Sequence, residues 1–516
     1  MHSPIDGIRA SHIRWCCHLE KRQGIISVFD KTGIVEFCRE IAPYFSFVST
    51  GKTAQVLQSA SIPVMKVSDF TGFPEILDGR VKTLHPRILG GILATRNQQT
   101  ELQDHNIPAV GLVVVNLYPF EEVTSRPHEL AEALDNIDIG GVTLLRAAAK
   151  NYPEVLVISS PDDYARVAEA IAGEDVSMDL RKELAEKALL CTAQYDIAIS
   201  RYLCSEDVFP PTFAMGYKKP QTLRYGENPH QDARYYLEHG KQPFYEQLHG
   251  KAVSLNNLVD FTAAMGLFSE HCQPSCAIIK HTSPCGFASA DDIETAFGQA
   301  FATDNLSAFG SAMGFNRPIT ESLAAKMHKI FIDAVIAPDY DGEAFDILAA
   351  KKNIVLCKFM DYDMPGLSIR LVPNGILVQQ ADKRTLNKQD LTVVTKKQPT
   401  TTQLEELLFA WSVVKYVKSN AAVISTGTKT LGIGMGQTSR IAAVELALDR
   451  ARSRAKGAVM ASDAFFPYRD SVNAAAKAGV AAIIAPGGSI RDQEAIEAAN
   501  EADIAMVWSG VRCFLH

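Results

Sequence analysis

Gly24-Ile25-Ile26-Ser27-Val28-Phe29-Asp30-Lys31-Thr32-Gly33-Ile34-Val35-Glu36-Phe37-Cys38-Arg39-Glu40-Ile41 decides the fold of the first part of the chain. A short apolar run, Ile25 to Val28, reaches a polar turn and gives way to an amphipathic stretch from Gly33 to Ile41. The alternation recurs in Phe45 to Val48, Thr53 to Ser59 and Val110 to Leu117. Short β-branched runs alternating with helical periodicity predict a parallel sheet with helices on both faces, an α/β fold. This unit is expected to span residues 24–207.

Working outward, residues 1–23 are mostly polar, with His2, Arg9, His12, Arg14, Lys21 and Arg22 and no apolar stretch of a secretory signal, and read as a flexible extension or an upstream start. Prolines at 210, 211 and 220 break the periodicity, which makes 208–222 the linker candidate. Residues 223–516 then mix strands and helices again. Strand candidates there are Cys276 to Ile279, Ala334 to Ala337, Ile376 to Val378, Ala421 to Ser425, Gly457 to Met460 and Ala481 to Ala485. No short-period repeat is visible.

A chain of 516 residues exceeds what one core holds, so two or more domains are expected. Its 47% hydrophobic and 21% charged content is that of a globular α/β protein, and a net charge of -8 gives no global attraction to nucleic acid. The 10 Cys form no paired CxxC elements, and Cys272 and Cys276 read as buried thiols in a reducing cytosol. No apolar run reaches the roughly 18 to 20 residues that span a bilayer, so a cytoplasmic protein without a membrane partner is expected.

Several strings place ionisable groups beside turn formers, where chains keep residues for chemistry. Ser27 to Lys31 and Ser49-Thr50-Gly51-Lys52-Thr53 follow strand candidates, where open α/β sheets bind ligands. The second is not a Walker loop, since position 46 is Ser where that pattern needs Gly; what remains is a hydroxyl and amide cradle for one phosphate monoester. Asp78-Gly79-Arg80-Val81-Lys82-Thr83-Leu84-His85-Pro86, Asn116-Leu117-Tyr118-Pro119-Phe120 and Asp138-Ile139-Gly140-Gly141-Val142-Thr143, running on to Arg146 and Lys150, carry charges a core would not choose. Lys82 and Lys150 also admit a reading as solvated surface lysines.

Further on stand Leu223-Arg224-Tyr225-Gly226-Glu227-Asn228-Pro229-His230-Gln231 and Ile279-Lys280-His281-Thr282-Ser283-Pro284-Cys285-Gly286. The vicinal Lys280-His281 pair is an acid and base couple. Gly432-Ile433-Gly434-Met435-Gly436-Gln437 fails the dinucleotide pattern GxGxxG at Gln437. His281 with Pro284-Cys285 contains fragments of a zinc deaminase, but that chemistry needs HxE and PCxxC, and positions 283 and 288 are Ser and Ala.

The strings at 223–231 and 280–286 closely resemble the LRYGxNPHQ and KHxxPCG signatures of the bifunctional AICAR transformylase and IMP cyclohydrolase family of purine synthesis, and the resemblance continues along almost the whole chain. It implies a methylglyoxal-synthase-like doubly wound N-terminal domain and a larger cytidine-deaminase-like transformylase region of two subdomains over 223–516. It implies formyl transfer from 10-formyltetrahydrofolate to AICAR, then cyclodehydration of formyl-AICAR to IMP, with no metal required. The implied partners are AICAR, formyl-AICAR, IMP and reduced folate, and the implied assembly is a homodimer sharing its transformylase sites. By the same resemblance, Arg80, Lys82, Asn116, Tyr118, Asp138 and Lys150 line the cyclohydrolase site, with Lys150 assigned proton transfer.

For the transformylase the resemblance implies His281 as base near the amine and Lys280 as the cation at the developing oxyanion, with Arg224, Tyr225 and His230 at the nucleotide. Asn420 and Arg440 would hold the AICAR base and phosphate regions. Phe309, Gly310, Asp333, Phe465, Asp470, Ser489, Arg512 and Phe514 match further ligand positions, although Phe465 and Phe514 read equally well as core aromatics. Phe29 stands where the family commonly has Ser, Ser283 where bacterial relatives often have Asn, 304–311 departs from DPxSAFGG, and Cys513 and Leu515 replace more polar residues. Two alternatives stay open: transformylase activity alone, and a regulatory protein that binds AICAR or IMP without turnover.

Overall fold

The computed structural model describes residues 21–204, 208–238 and 241–516. The chain divides into two compact units, Met1–Lys218 with Glu238–Lys241, and Lys219–Leu237 with Gln242–His516. The expected N-terminal extension lies outside the described residues as far as position 20. Its last residues are corrected by pairing: Arg22 and Gln23 already face Phe45 and Ser46, so the first strand begins before Gly24.

In the first unit, β1 (Arg22–Val28), β2 (Phe45–Ser49), β3 (Val64–Lys66), β4 (Val110–Asn116) and β5 (Leu156–Ile158) form a parallel sheet in the order β3-β2-β1-β4-β5. The strands β3 and β5 escaped the sequence reading because three residues carry no measurable period. The helix Ile34–Ile41 shows why the alternation is decisive. Its Ile34, Phe37, Cys38 and Ile41, spaced three, four and seven apart, are buried on the sheet, while Gly33 enters it at φ 69°. Each such fully buried side chain is worth about 1.5–3 kcal/mol. Strand order reverses between β1 and β4, so the loops after these two strands flank a crevice at the switch point.

The linker expected at 208–222 is in part a strand. Residues β6 (Tyr217–Thr222) pair with β7 (Arg234–Glu238) in a two-stranded ribbon, where Pro220 is tolerated because a ribbon leaves one edge unpaired.

The second unit holds a twelve-stranded sheet made of one motif used twice. The first copy is β8 (Tyr245–His249), β9 (Ser275–Lys280), β10 (Ser283–Ser289), β11 (Ala312–Phe315), β12 (Ala334–Ala337) and β13 (Val355–Phe359). An exposed ribbon, β14 (Leu367–Val372) with β15 (Gly375–Gln380), follows, so the strand candidate at Ile376 to Val378 belongs outside the main sheet. The second copy is β16 (Thr392–Val393), β17 (Ala422–Thr426), β18 (Lys429–Gly434), β19 (Val459–Ser462), β20 (Ala482–Ala485) and β21 (Ala505–Trp508). The order is β16-β21-β20-β19-β17-β18-β10-β9-β11-β12-β13-β8. From the seam outward each copy reads hairpin, antiparallel neighbour, two parallel strands and an antiparallel edge.

The copies join where β10 and β18 run antiparallel at Ala288 and Lys429, and the Thr430 hydroxyl bonds both the amide and the carbonyl of Phe287 at 2.9 and 3.0 Å. Strand β18 lies so close to the helix Arg440–Ala451 that a Cβ on Gly434 would stand 1.8 Å from the Ala443 carbonyl oxygen. Cys276 is buried in β9, but Cys272 is exposed, contrary to the sequence reading. The helix Leu255–Ser269 has already ended, and Cys272 lies in the exposed loop before β9, where Arg317 donates to its carbonyl at 2.6 Å. Among the described residues no helix is long and apolar enough to cross a membrane.

Candidate functional site

At the β1/β4 switch point, Asn116 at the end of β4 closes the crevice. Its Oδ1 accepts the amides of Phe29 and Asp30 at 2.5 and 2.8 Å, and its Nδ2 donates to the Asp30 carbonyl at 2.8 Å. Asn116 therefore shapes the loop after β1. Ser27 and Thr50 share a hydroxyl contact of 3.1 Å at the start of the helix Gly51–Ser59, while Ser49 and Thr53 turn inward onto the carbonyls of Ile26 and Val28. Lys31 donates to the carbonyls of Val28 and Phe29 at 3.2 and 2.7 Å; partial burial, with Lys52 nearby, lowers its pKa. Free amides at the helix start with two lysines beside them suit a phosphate. Phe29 is 47% exposed, with its ring edge-on to Tyr118 at 5.7 Å.

Beside this cradle Lys82, Tyr118 and Asp138 come together. Lys82 Nζ lies 3.5 Å from the Tyr118 hydroxyl, and its charge is felt by Asp138. Burial raises the Asp138 pKa, against the pull of the Gly141 amide at 2.6 Å and of Lys82. Gly141 is required here, since a Cβ would lie 2.5 Å from Asp138 Oδ2. Tyr195, on the helix Met178–Leu203, fixes the approach to this carboxylate by accepting the Asp138 amide at 2.9 Å and donating to the Asn136 carbonyl at 2.6 Å. No local string signals Tyr195; only tertiary packing brings it in.

Arg80 is exposed and ion-paired with Asp135. Lys150 ends the helix Gly140–Lys150, roughly 15 Å along its axis from the Asp138 end. With Arg146, Leu89, Leu93 and Leu189 it lines a separate groove of about 540 Å³.

The second unit gathers its candidates along one edge of the twelve-stranded sheet. Pairing of Ser283 with Lys280, of Ala312 with Ile279 and of Ala334 with both Ala312 and Val355 aligns the β9–β10 turn with the starts of β11, β12 and β13. Across the seam, Ala422 pairs with Gly434 and Ser462, and β20 and β21 run parallel to β19, so the starts of β17 and the ends of β18 to β21 lie on that same edge. Lys280, His281, Phe309, Gly310 and Asp333 thus share it with Asn420, Phe465, Ser489, Arg512 and Phe514.

The turn at the centre of this edge is strained. His281 and Thr282 have φ 55° and 63°, the sign pattern of a type I′ hairpin turn that normally calls for Asn or Gly. Lys280 Nζ donates to the Phe309 carbonyl at 2.9 Å, and the His281 side of the turn is exposed. Arg224 stacks on Tyr225, its guanidinium 4.4 Å from the ring centroid, and its backbone amide is tied to Val253 at 2.9 Å. Asp333 accepts from Lys251 at 2.6 Å and from Asn257 at 2.9 Å. Arg440 is buried and turned inward: it pairs with Asp463 and donates to Ala421 and to Asn420 Oδ1 at 2.9 and 2.7 Å. It therefore orients Asn420. Asp463 lies two residues before Phe465, a carboxylate that the strings around it did not single out.

Phe465 and Phe514 are 38% and 39% exposed, which removes the core-aromatic reading. The Arg512 guanidinium sits 4.5 Å from the Phe514 ring centroid. Asp470 opens the helix Asp470–Lys477 on the surface, and His230 is exposed in the β6–β7 loop. Cys285 is buried, its thiol pushed up to about 11 by burial. Among the described residues no three His, Cys, Asp or Glu side chains gather as a ligand set.

A family model described as AICARFT/IMPCHase bienzyme matches residues 148–450, and one described as MGS-like domain matches residues 33–143. The chain is 46% identical over 517 residues to the bifunctional purine biosynthesis protein PurH of Acetivibrio thermocellus, covering 96% of this chain and 100% of that protein. It is 47% identical over 512 residues to the PurH of Anoxybacillus flavithermus and 46% identical over 512 residues to that of Caldicellulosiruptor saccharolyticus, with the same coverage.

Proposed function

The chain belongs to the AICAR transformylase/IMP cyclohydrolase bienzyme family, whose members carry out formyl transfer to AICAR and closure of formyl-AICAR to IMP in purine synthesis, and from this premise we propose which of its residues perform each step. The observation that carries the reading is the sheet edge that the Lys280–His281 turn shares with Asn420, Phe465 and Arg512.

In formyl transfer the AICAR amine attacks the formyl carbon of 10-formyltetrahydrofolate, and the bond from that carbon to the folate nitrogen breaks. His281 takes the amine proton, Lys280 stabilises the oxyanion and returns a proton to the leaving nitrogen. Asn420, held by Arg440, contacts the base, and Arg224 and Arg512 offer guanidinium groups to the phosphate or the folate carboxylates. Tyr225, His230, Phe309, Gly310, Asp333, Asp470, Ser489, Phe465 and Phe514 complete the binding surface in this reading. No step needs a metal.

In cyclisation the carboxamide nitrogen attacks the formyl carbon and water leaves. Lys82 and Tyr118 polarise the formyl oxygen, and Asp138, whose pKa burial raises, accepts the carboxamide proton. Ser27, Lys31, Thr50, Gly51 and Lys52 hold the phosphate, Ser49, Thr53 and Asn116 shape the loops around it, and Arg80 serves at the rim. Lys150, at the C-terminal end of the helix that Asp138 precedes, keeps the proton-transfer role that the family resemblance gives it. We place the first domain from the start of β1 at Arg22 to residue 207, the second at 223–516, and the enzyme in the cytoplasm, as a homodimer with shared transformylase sites.

The test is a coupled assay of purified protein with AICAR and 10-formyltetrahydrofolate, following tetrahydrofolate and IMP by chromatography. Both products are expected. Tetrahydrofolate with accumulating formyl-AICAR would overturn the cyclohydrolase assignment and implicate Phe29, and absence of both from folded protein would leave a nucleotide-binding protein.

A further inference from the structure

The His281–Thr282 turn needs an explanation beyond its own sequence. Both residues are left-handed, neither is Gly or Asn, and Thr282 is β-branched, the side-chain type least suited to that conformation. Something outside the turn must hold it. The group in contact is Asp260, on the helix Leu255–Ser269, whose Oδ1 accepts the Thr282 amide at 2.7 Å.

We propose that Asp260 is a positioning residue for formyl transfer: by clamping the Thr282 amide it holds the turn left-handed and so fixes the direction in which the His281 ring leaves the sheet edge. The inference rests on the reading that His281 serves the transformylase. Asp260 faces His281, Asp333 with its partner Lys251, and the Cys285 thiol. Burial raises its pKa, while the Thr282 amide and His281 lower it. A half-buried carboxylate beside another carboxylate is retained against that cost by the amide it accepts.

The second copy of the motif supplies an internal control. Asp260 is the sixth residue of the helix Leu255–Ser269, and Glu406 is the sixth of the helix Thr401–Val414. Glu406 Oε1 likewise accepts a turn amide, that of Gly427 at 2.6 Å, between β17 and β18. A carboxylate gripping the hairpin turn is thus a device of the fold, and only in the first copy does the gripped turn carry a histidine into the site.

The experiment measures kcat and KM for formyl transfer in full-length D260A, D260N and D260A/T282G, with E406Q as control and with circular dichroism of each. D260A is expected to lower kcat about 10²-fold, the effect of a misplaced reacting group, with KM for AICAR changed less than about threefold. D260N, whose carboxamide oxygen accepts the same amide, should keep kcat within about fivefold of wild type. D260A/T282G should recover much of the loss, since glycine adopts the turn unaided, and E406Q should leave kcat unchanged. An indifferent D260A, or a D260N as damaged as D260A, overturns the proposal. If D260A does not fold, D260N decides: loss beyond about tenfold in folded D260N overturns the proposal, and retention supports it. Wild-type protein without formyl transfer would instead overturn the reading of the site on which the proposal rests.

Discussion

Two hairpins occupy matching places in the two copies of the motif, and they turn differently. Gly427 takes φ 53° between β17 and β18, whereas His281 and Thr282 both take positive φ between β9 and β10. A left-handed residue other than glycine costs roughly 1–2 kcal/mol. The second turn is therefore what the local sequence prefers, and the first is imposed by its surroundings. The positive-φ pair stands at the edge where we propose the transformylase site, and the corresponding turn of the second copy carries glycine instead. The turn Gly427–Thr428 lies on the opposite edge of the sheet, where Thr428, Glu270, His271, Phe409, Trp411 and Ser412 line a cavity of about 270 Å³.

The sharpest way to break this comparison is to remove chemistry from each turn. H281A or K280A is expected to lower formyl transfer about 10²- to 10⁴-fold while closure of supplied formyl-AICAR continues at the wild-type rate. Substitution of Gly427 by Ala should leave both activities intact. Equal loss of both activities in folded H281A protein would erase the distinction between the sites.

A second test concerns the histidine of the opposite edge. His271 packs against both Phe287 and Phe409, with its Nε2 3.1 Å from the Ser412 hydroxyl, and burial lowers its pKa from 6.5 to about 4. The unfolded chain therefore takes the proton first as pH falls. Stability from this residue is full above pH 6.5 and declines toward pH 4, by roughly 3 kcal/mol in all. Urea unfolding of wild type and H271Q between pH 7 and 4 should show the extra decline in wild type only. Parallel curves would mean that His271 titrates normally.

The smallest effect sharpens the strain itself. Gly427→Ala should destabilise by about 1–2 kcal/mol, since alanine meets the left-handed penalty, while Thr282→Gly should stabilise by up to about 1 kcal/mol after the added entropy of the unfolded chain. Opposite signs in thermal unfolding are expected. The same sign for both would show that the two turns are equally relaxed.

Long alternating segments such as Ile25 to Ile41 made the first sheet legible, because burial at every third or fourth residue is written in the residue types. The strings around Lys82, Asp138, Lys280 and His281 were legible as candidates, since they set charged residues beside turn formers. What stayed hidden was set by distance in the chain. The duplication in the second unit, expected as two subdomains from the family resemblance alone, lies in strand order, which no residue type encodes. Tyr195, Asp260 and Asp463 reach their sites from 57, 22 and 42 residues away in sequence, and each looks ordinary where it stands. Lys150 shows the same limit from the other side: its string is contiguous with that of Asp138, but the helix Gly140–Lys150 sets the two about ten residues apart along its axis.

Strand β18 and the helix Arg440–Ala451 leave Gly434 no space for even one carbon. Every single-base change in a glycine codon that alters the residue introduces a Cβ, so no intermediate step is open. Drift at this position needs a compensating shift of the helix in the same generation. In a saturation library Gly434 should stand out as a column in which almost no replacement survives, although it bears no side chain and no charge.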